Sequence, residues 1–218
     1  MSEIELRRYL GSLAKKNQRA VETISFLGGG YYNHYIPAIV DTIISRSEFY
    51  TAYTPYQAEA SQGSLQLIFE FQTLMAFITG MEVCNASMYD GGTAFAEAFL
   101  MAYRISRGKR KKFLYSSLIH PDYKEILKTY TRFHPEIEIE EIPQNNGLTN
   151  LEELEKVADE NTAGIGISYP NFLGQIEDME RVVAICRKTG AVPIADFYPI
   201  VSSALKRPGD YGFEIVTG

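Results

Sequence analysis

Two loops in this chain gather residues suited to holding a ligand. One runs Phe26-Leu-Gly-Gly-Gly-Tyr-Tyr-Asn-His-Tyr-Ile-Pro37 and the other Tyr53-Thr-Pro-Tyr-Gln-Ala-Glu-Ala-Ser-Gln-Gly63. Together they set three consecutive glycines beside five tyrosines, Tyr31, Tyr32, Tyr35, Tyr53 and Tyr56. A core would not select so many phenols, because each needs a polar partner once buried. A disordered linker would be poor in aromatics. Ordered backbone that approaches a ligand closely, with tyrosines around it, is the reading that remains.

Further along, Ser87-Met-Tyr-Asp-Gly-Gly-Thr93 joins a strand pattern to a helix pattern. Gly91, Gly92 and Thr93 at a helix start can present backbone N–H groups to an anion, aided by the helix dipole. The same residues also read as a tight turn with Thr93 as N-cap. Asp196 closes an apolar strand pattern, Ala191–Ala195, at the edge where open parallel sheets collect ligands. There it can pair with a protonated ring nitrogen of a cofactor or simply cap a loop. His120, before Pro121, follows another strand pattern and can stack on a flat ligand, shuttle a proton, or serve as a helix-entry residue. Asn171, in Ser168-Tyr-Pro-Asn-Phe-Leu-Gly174, reads equally as site wall or structural turn. His34 is open between structural and functional roles, and His134 reads as surface turn. No His, Cys, Asp or Glu set has metal-ligand spacing. Gly-x-Gly-x-x-Gly, Walker and Gly-x-Ser-x-Gly signatures are absent.

The elements that must position these residues alternate. An amphipathic helix is expected from Ser2 to about Asn17, opened by a Ser2–Glu5 capping box. Pro37 opens a second helix. A long helix is expected from about Leu65 to Ile78, ended by Gly80. Then come strands near Val83–Ala86, Lys112–Ser116, Ile137–Ile142, Ala163–Ser168 and Ala191–Ala195, with a last strand starting at Phe213–Val216. Helices at about Thr93–Ser106, Asp122–Arg132, Leu151–Asp159 and Met179–Lys188 separate them. This pattern predicts an α/β fold with a mostly parallel sheet covered by helices on both faces. The expected division is a helical arm with interface loops over 1–64 and an α/β large domain over 65–218.

The 218 residues carry 21 basic and 27 acidic side chains, a net charge of −6. That leaves no excess of cations for phosphates, so nucleic acid is not an expected partner. The basic run Arg107-Gly-Lys-Arg-Lys-Lys112 reads as a solvated helix end. Cys84 and Cys186 lie among apolar neighbours and read as buried free thiols. The start lacks a secretory signal and no run nears the roughly 18 apolar residues of a membrane span. A soluble cytoplasmic protein is expected.

Phe26-Leu-Gly-Gly-Gly-Tyr-Tyr-Asn33, Tyr53-Thr-Pro-Tyr-Gln57, Glu59-Ala-Ser-Gln-Gly63 and Thr79-Gly80 resemble the P protein of the glycine cleavage system, glycine decarboxylase. Asn85-Ala-Ser-Met-Tyr-Asp-Gly-Gly-Thr93, Ala96-Glu-Ala98, Pro170-Asn-Phe172 and Ile176-Glu-Asp178 extend the likeness, in order, over nearly the whole chain. The closer resemblance is to subunit 1, the N-terminal half-type chain of the split enzyme. It implies the large domain of the pyridoxal-phosphate transferase fold type I (aspartate aminotransferase-like). It also implies a heterotetramer with subunit 2. The implied reaction, of the oxidoreductase class and part of glycine catabolism, takes glycine and the lipoyl H protein to CO2 and aminomethyl-dihydrolipoyl H protein.

Such chemistry needs a Schiff-base lysine, a carboxylate at the pyridinium nitrogen and a phosphate cradle. By resemblance, Asp196 and Gly91-Gly92-Thr93 stand where the fold places the last two, with His120 as a ring neighbour. After Asp196 the only lysine in the sequence is Lys206, ten residues on in a surface-like turn and too near for the fold type's usual lysine. The resemblance therefore implies that pyridoxal phosphate is carried by subunit 2 and that the fold-equivalent residues here are vestigial. It further implies a chain truncated at both ends relative to the family, able to self-associate, and inactive without subunit 2. Tyr31, Tyr32, Asn33, Tyr53 and Tyr56 would form one wall of a shared active site. The alternatives are a self-sufficient fold-type I pyridoxal-phosphate enzyme and a non-catalytic scaffold subunit.

Overall fold

The computed structural model describes residues 1–19, 22–24, 33–50 and 53–218. The chain divides into two compact units, Met1–Tyr35 and Ile36–Gly218. In the first, helix α1 spans Glu3–Ala14. Its start is the expected capping box: Ser2 N–H donates to Glu5 Oε2 at 2.6 Å, and Glu5 N–H donates to Ser2 Oγ at 3.3 Å.

The second unit opens with α2 (Ala38–Ile44), α3 (Ser47–Tyr50) and α4 (Ala58–Thr79). Pro37 lies one residue before α2, as its N-cap. Helix α4 starts seven residues earlier than expected from Leu65, because Ala58-Glu-Ala60 are strong helix formers. A break at Ser61 (φ −120°, ψ 22°) marks where this added turn joins the rest, and Gly80 ends the helix at φ 75°.

The expected strand at Val83–Ala86 does not form. Val83 is 83% exposed, and the Cys84 carbonyl accepts from the Gln72 amide, so side-chain bonding replaces a ladder. Cys84 is only half-buried, correcting the expectation of a buried thiol, whereas Cys186 is buried. Burial pushes both thiols up, Cys186 to about 12.

From α5 (Gly91–Ile105) the chain alternates as its periodicity predicts. Strand β1 (Lys112–Ser116) leads through α6 (Pro121–Thr131) to β2 (Glu138–Ile142). A hairpin follows, β3 (Gln144–Asn145) and β4 (Leu148–Thr149). Asn146 (φ 52°) and Gly147 (φ 80°) turn it, the left-handed pair that a two-residue hairpin requires. Then come α7 (Leu151–Val157), β5 (Thr162–Tyr169), α8 (Met179–Thr189) and β6 (Val192–Phe197). A 3-10 turn over Pro199–Ser203, α9 (Pro208–Tyr211) and β7 (Ile215–Thr217) complete the unit.

The sheet runs β2-β1-β5-β6-β7, with every pairing parallel. Two cores sandwich it. Phe95 and Phe99 of α5 and Leu127 of α6 pack with Phe113, Tyr115 and Ile194 on one face. Val182, Val183 and Ile185 of α8 pack with Leu114, Ile165 and Ile167 on the other. Gly166 sets the depth of the first layer: a Cβ there would stand 2.7 Å from Phe99 Cζ and 2.9 Å from Phe95 Cζ. β1 connects outward to β2, while β5, on its other side, connects toward β6. The crevice beyond the carboxyl ends of β1 and β5 is thus the switch point where ligands of open α/β sheets bind. No helix among the described residues is long and apolar enough to cross a membrane.

Candidate functional site

The strand register builds one half of this site. Ser168 of β5 pairs with Asp196 of β6, and the alternation that turns Ile194 toward α5 turns Asp196 the same way. The Asp196 carboxylate is half-buried and accepts the Ser168 hydroxyl at 2.6 Å. Burial pushes its pKa up from 3.8 to about 6, against the opposing pull of the Ser168 hydroxyl and the charge on His120.

His120 ends the β1 connection as the N-cap of α6, its Nδ1 accepting from Asp122 N–H at 3.2 Å. Its ring leans on Tyr123 at 5.2 Å and meets the edge of Phe172 at 5.3 Å. The expected strand-end histidine and strand-end aspartate stand at the carboxyl side of the sheet, His120 in the connection after β1 and Asp196 near the end of β6.

The Gly91-Gly92-Thr93 turn is built as a cap. Asp90, three residues before Thr93, is the N-cap of α5, and Thr93 is its N3 residue rather than the cap itself. Asp90 Oδ1 accepts from Thr93 N–H at 2.7 Å, and Thr93 Oγ1 accepts from Asp90 N–H at 3.1 Å while donating to the Asp90 carbonyl at 3.0 Å. These bonds, with that from Gly92 N–H, hold the Asp90 carboxyl below its ordinary pKa. The glycines answer to packing. A Cβ on Gly91 would meet Tyr123 Oη, with the ring's Cζ at 2.9 Å, and one on Gly92 would meet Ile126 Cδ1, with Tyr123 Cδ1 at 3.1 Å.

Asn171 is a turn organiser. Its Oδ1 accepts from Leu173 N–H and Gln175 N–H, both at 3.0 Å. Its Nδ2 donates to the Gly147 carbonyl at 2.9 Å and to Glu177 Oε1 at 2.8 Å. Glu177, which sequence reasoning did not single out, is 5% exposed. It also accepts the Thr149 hydroxyl at 2.9 Å and Thr149 N–H at 3.1 Å, and Thr149 Oγ1 lies 2.7 Å from Ser116 Oγ. This buried cluster ties the hairpin, the end of β1 and the loop after β5 into one wall, and that loop carries Phe172 onto His120.

Of the loop tyrosines, Tyr53 and Tyr56 are 86% and 80% exposed and meet edge to face at 6.4 Å. Asn33 is exposed in the first unit. Tyr31, Tyr32 and the triple glycine lie outside the described residues. His134 is an exposed turn residue, 3.2 Å from Glu136. Lys206, the one lysine after Asp196 in this sequence, sits 4.1 Å over the Tyr211 ring and 3.4 Å from Glu180. Among the described residues no three His, Cys, Asp or Glu side chains gather as metal ligands.

The family model for the glycine cleavage system P-protein matches residues 1–218. A probable glycine dehydrogenase (decarboxylating) subunit 1 of Bacillus velezensis is 50% identical over 217 residues, and that of Carboxydothermus hydrogenoformans 47% over 218. Each alignment takes in all of this chain and 48% of the relative, so the chain spans about half the length of the relatives it matches. A crystal structure of glycine decarboxylase (P-protein) in inhibitor-bound form superposes with a TM-score of 0.90 at 38% identity, over 99% of this chain and 47% of that one.

Proposed function

Since the chain belongs to the glycine cleavage system P-protein family, we propose that it is the large-domain part of a glycine decarboxylase subunit 1, working only with a second subunit. The observation that carries this reading is the unbroken match to chains named subunit 1 over all of its residues. The proposed reaction takes glycine and the lipoyl H protein to CO2 and an aminomethyl-dihydrolipoyl H protein. Pyridoxal phosphate, held by the partner, supplies the electron sink for decarboxylation.

One observation supports placing the cofactor in the partner. The Thr93 N–H and hydroxyl of the Gly-Gly-Thr turn are already bonded to Asp90. The donor set of this chain thus does not fit a phosphate dianion at α5.

What this chain contributes is a wall. The exposed phenols of Tyr53 and Tyr56 are free of core duty and can orient a carboxylate or exclude water across an interface. For Tyr31, Tyr32 and Asn33 the resemblance alone carries a similar proposed role. In the assembled complex, Tyr53→Phe and Tyr56→Phe, alone and paired with Tyr31→Phe and Tyr32→Phe, should slow glycine–bicarbonate exchange at least tenfold with assembly intact. Unchanged exchange by the quadruple variant would leave these loops structural and defeat the wall.

A further inference from the structure

The turn before α5 has the composition of a phosphate cradle and the hydrogen bonding of a filled one. An anion at a helix start is held by the first free N–H groups and a nearby hydroxyl. Here the Thr93 N–H already donates to the Asp90 carboxylate at 2.7 Å. The Thr93 hydroxyl is spent in both directions, donating to the Asp90 carbonyl and accepting from the Asp90 N–H. Both glycines are covered by Tyr123 and Ile126, so the backbone cannot shift toward α6 to make room.

We propose that Asp90 is the built-in occupant of this helix start, a carboxylate in the place of a phosphate, and the residue that makes the chain reject pyridoxal phosphate and other phosphate monoesters. An incoming dianion would have to displace Asp90 from Thr93 and then lie beside its charge. Asp90 acts by occupancy and by repulsion, and the two are separable. Asp90→Asn keeps an oxygen for Thr93 and removes the charge, while Asp90→Gly removes both and leaves a residue that still tolerates the N-cap position. This inference rests on the reading that the cofactor belongs to the partner and names the residue that keeps it out of this subunit.

The test titrates the purified chain and both variants with inorganic phosphate and with pyridoxal phosphate, followed by phosphorus NMR and calorimetry, with circular dichroism as the folding control. The parent chain should show no saturable binding of either. Asp90→Gly should bind phosphate at least tenfold more tightly than the parent, with Asp90→Asn between them. Failure of both variants to bind would overturn Asp90 as the barrier while leaving the cofactor in the partner. Saturable pyridoxal phosphate binding by the parent chain would overturn that reading as well.

Discussion

The buried Glu177 is the residue whose loss should be felt most outside the two cores. Glu177→Ala strips the Thr149 N–H of its acceptors at 3.1 and 3.2 Å, leaving a buried donor unpaired at a cost of about 1–3 kcal/mol. The Thr149 hydroxyl and the Asn171 amide each lose a bond to a carboxylate, worth about 1.5 kcal/mol or more when no substitute exists. Each keeps another partner, Ser116 at 2.7 Å and the Gly147 carbonyl at 2.9 Å, so only part of that is lost. Relief from burying a carboxylate offsets a further part. The net expectation is a destabilisation of roughly 2–4 kcal/mol, read as the shift in urea midpoint at constant slope. Glu177→Gln should cost less, roughly 1–2 kcal/mol, because its amide nitrogen must face the Thr149 N–H as a second donor. A double-mutant cycle with Thr149→Val should return a coupling of about 1 kcal/mol. A Glu177→Ala chain within 0.5 kcal/mol of the parent, on the scale of an ordinary surface change, would refute the reasoning and show that carboxylate burial cancels the bonds it makes.

Asp196 carries a pH signature of the opposite sign to an ordinary paired carboxylate. Its folded pKa of about 6 lies above the ordinary 3.8, so the folded state holds the proton longer and stability falls as pH rises between those values. At about 1.4 kcal/mol per factor of ten the interval is worth roughly 3 kcal/mol, and Asp196→Asn should remove most of that slope in denaturation midpoints taken from pH 4 to 7. Gly166→Ala should destabilise by about 1–3 kcal/mol in the same assay, because its methyl has Phe95 and Phe99 within 3 Å. Tyr53→Phe and Tyr56→Phe should leave the urea midpoint of the chain unmoved, as expected for side chains 86% and 80% exposed.

The sheet was legible where the sequence left little choice. Thr162–Tyr169 is buried along its whole length and reads as an uninterrupted run of small and branched residues, and Val192–Phe197 is almost as enclosed. Val83–Ala86 misled because a short apolar run with no partner strand has the same local pattern as a real strand. The hairpin at Asn146-Gly147 carried its own signal, the Asn-Gly pair, but flanked by two-residue strands too polar to announce themselves. In the site, Asp196 and His120 could be placed by the rule that ligands gather at strand ends. Glu177 could not. A glutamate is presumed exposed, and its donors come from residues 28 and 6 positions away that only the fold assembles.

The Gly-Gly-Thr turn shows why such a motif admits two readings. A cradle needs glycine so that backbone N–H groups can reach an anion; close helix packing needs glycine so that a neighbour can lie on the backbone. At α5 the second need is visible in the Tyr123 and Ile126 contacts, and it holds whether or not any anion is present. The residue that separates the two readings is the one before the motif. A neutral residue there leaves the helix start open to an outside anion, and an aspartate closes it from within. Asp90 makes the closed choice, its Oδ1 taking the Thr93 N–H at 2.7 Å.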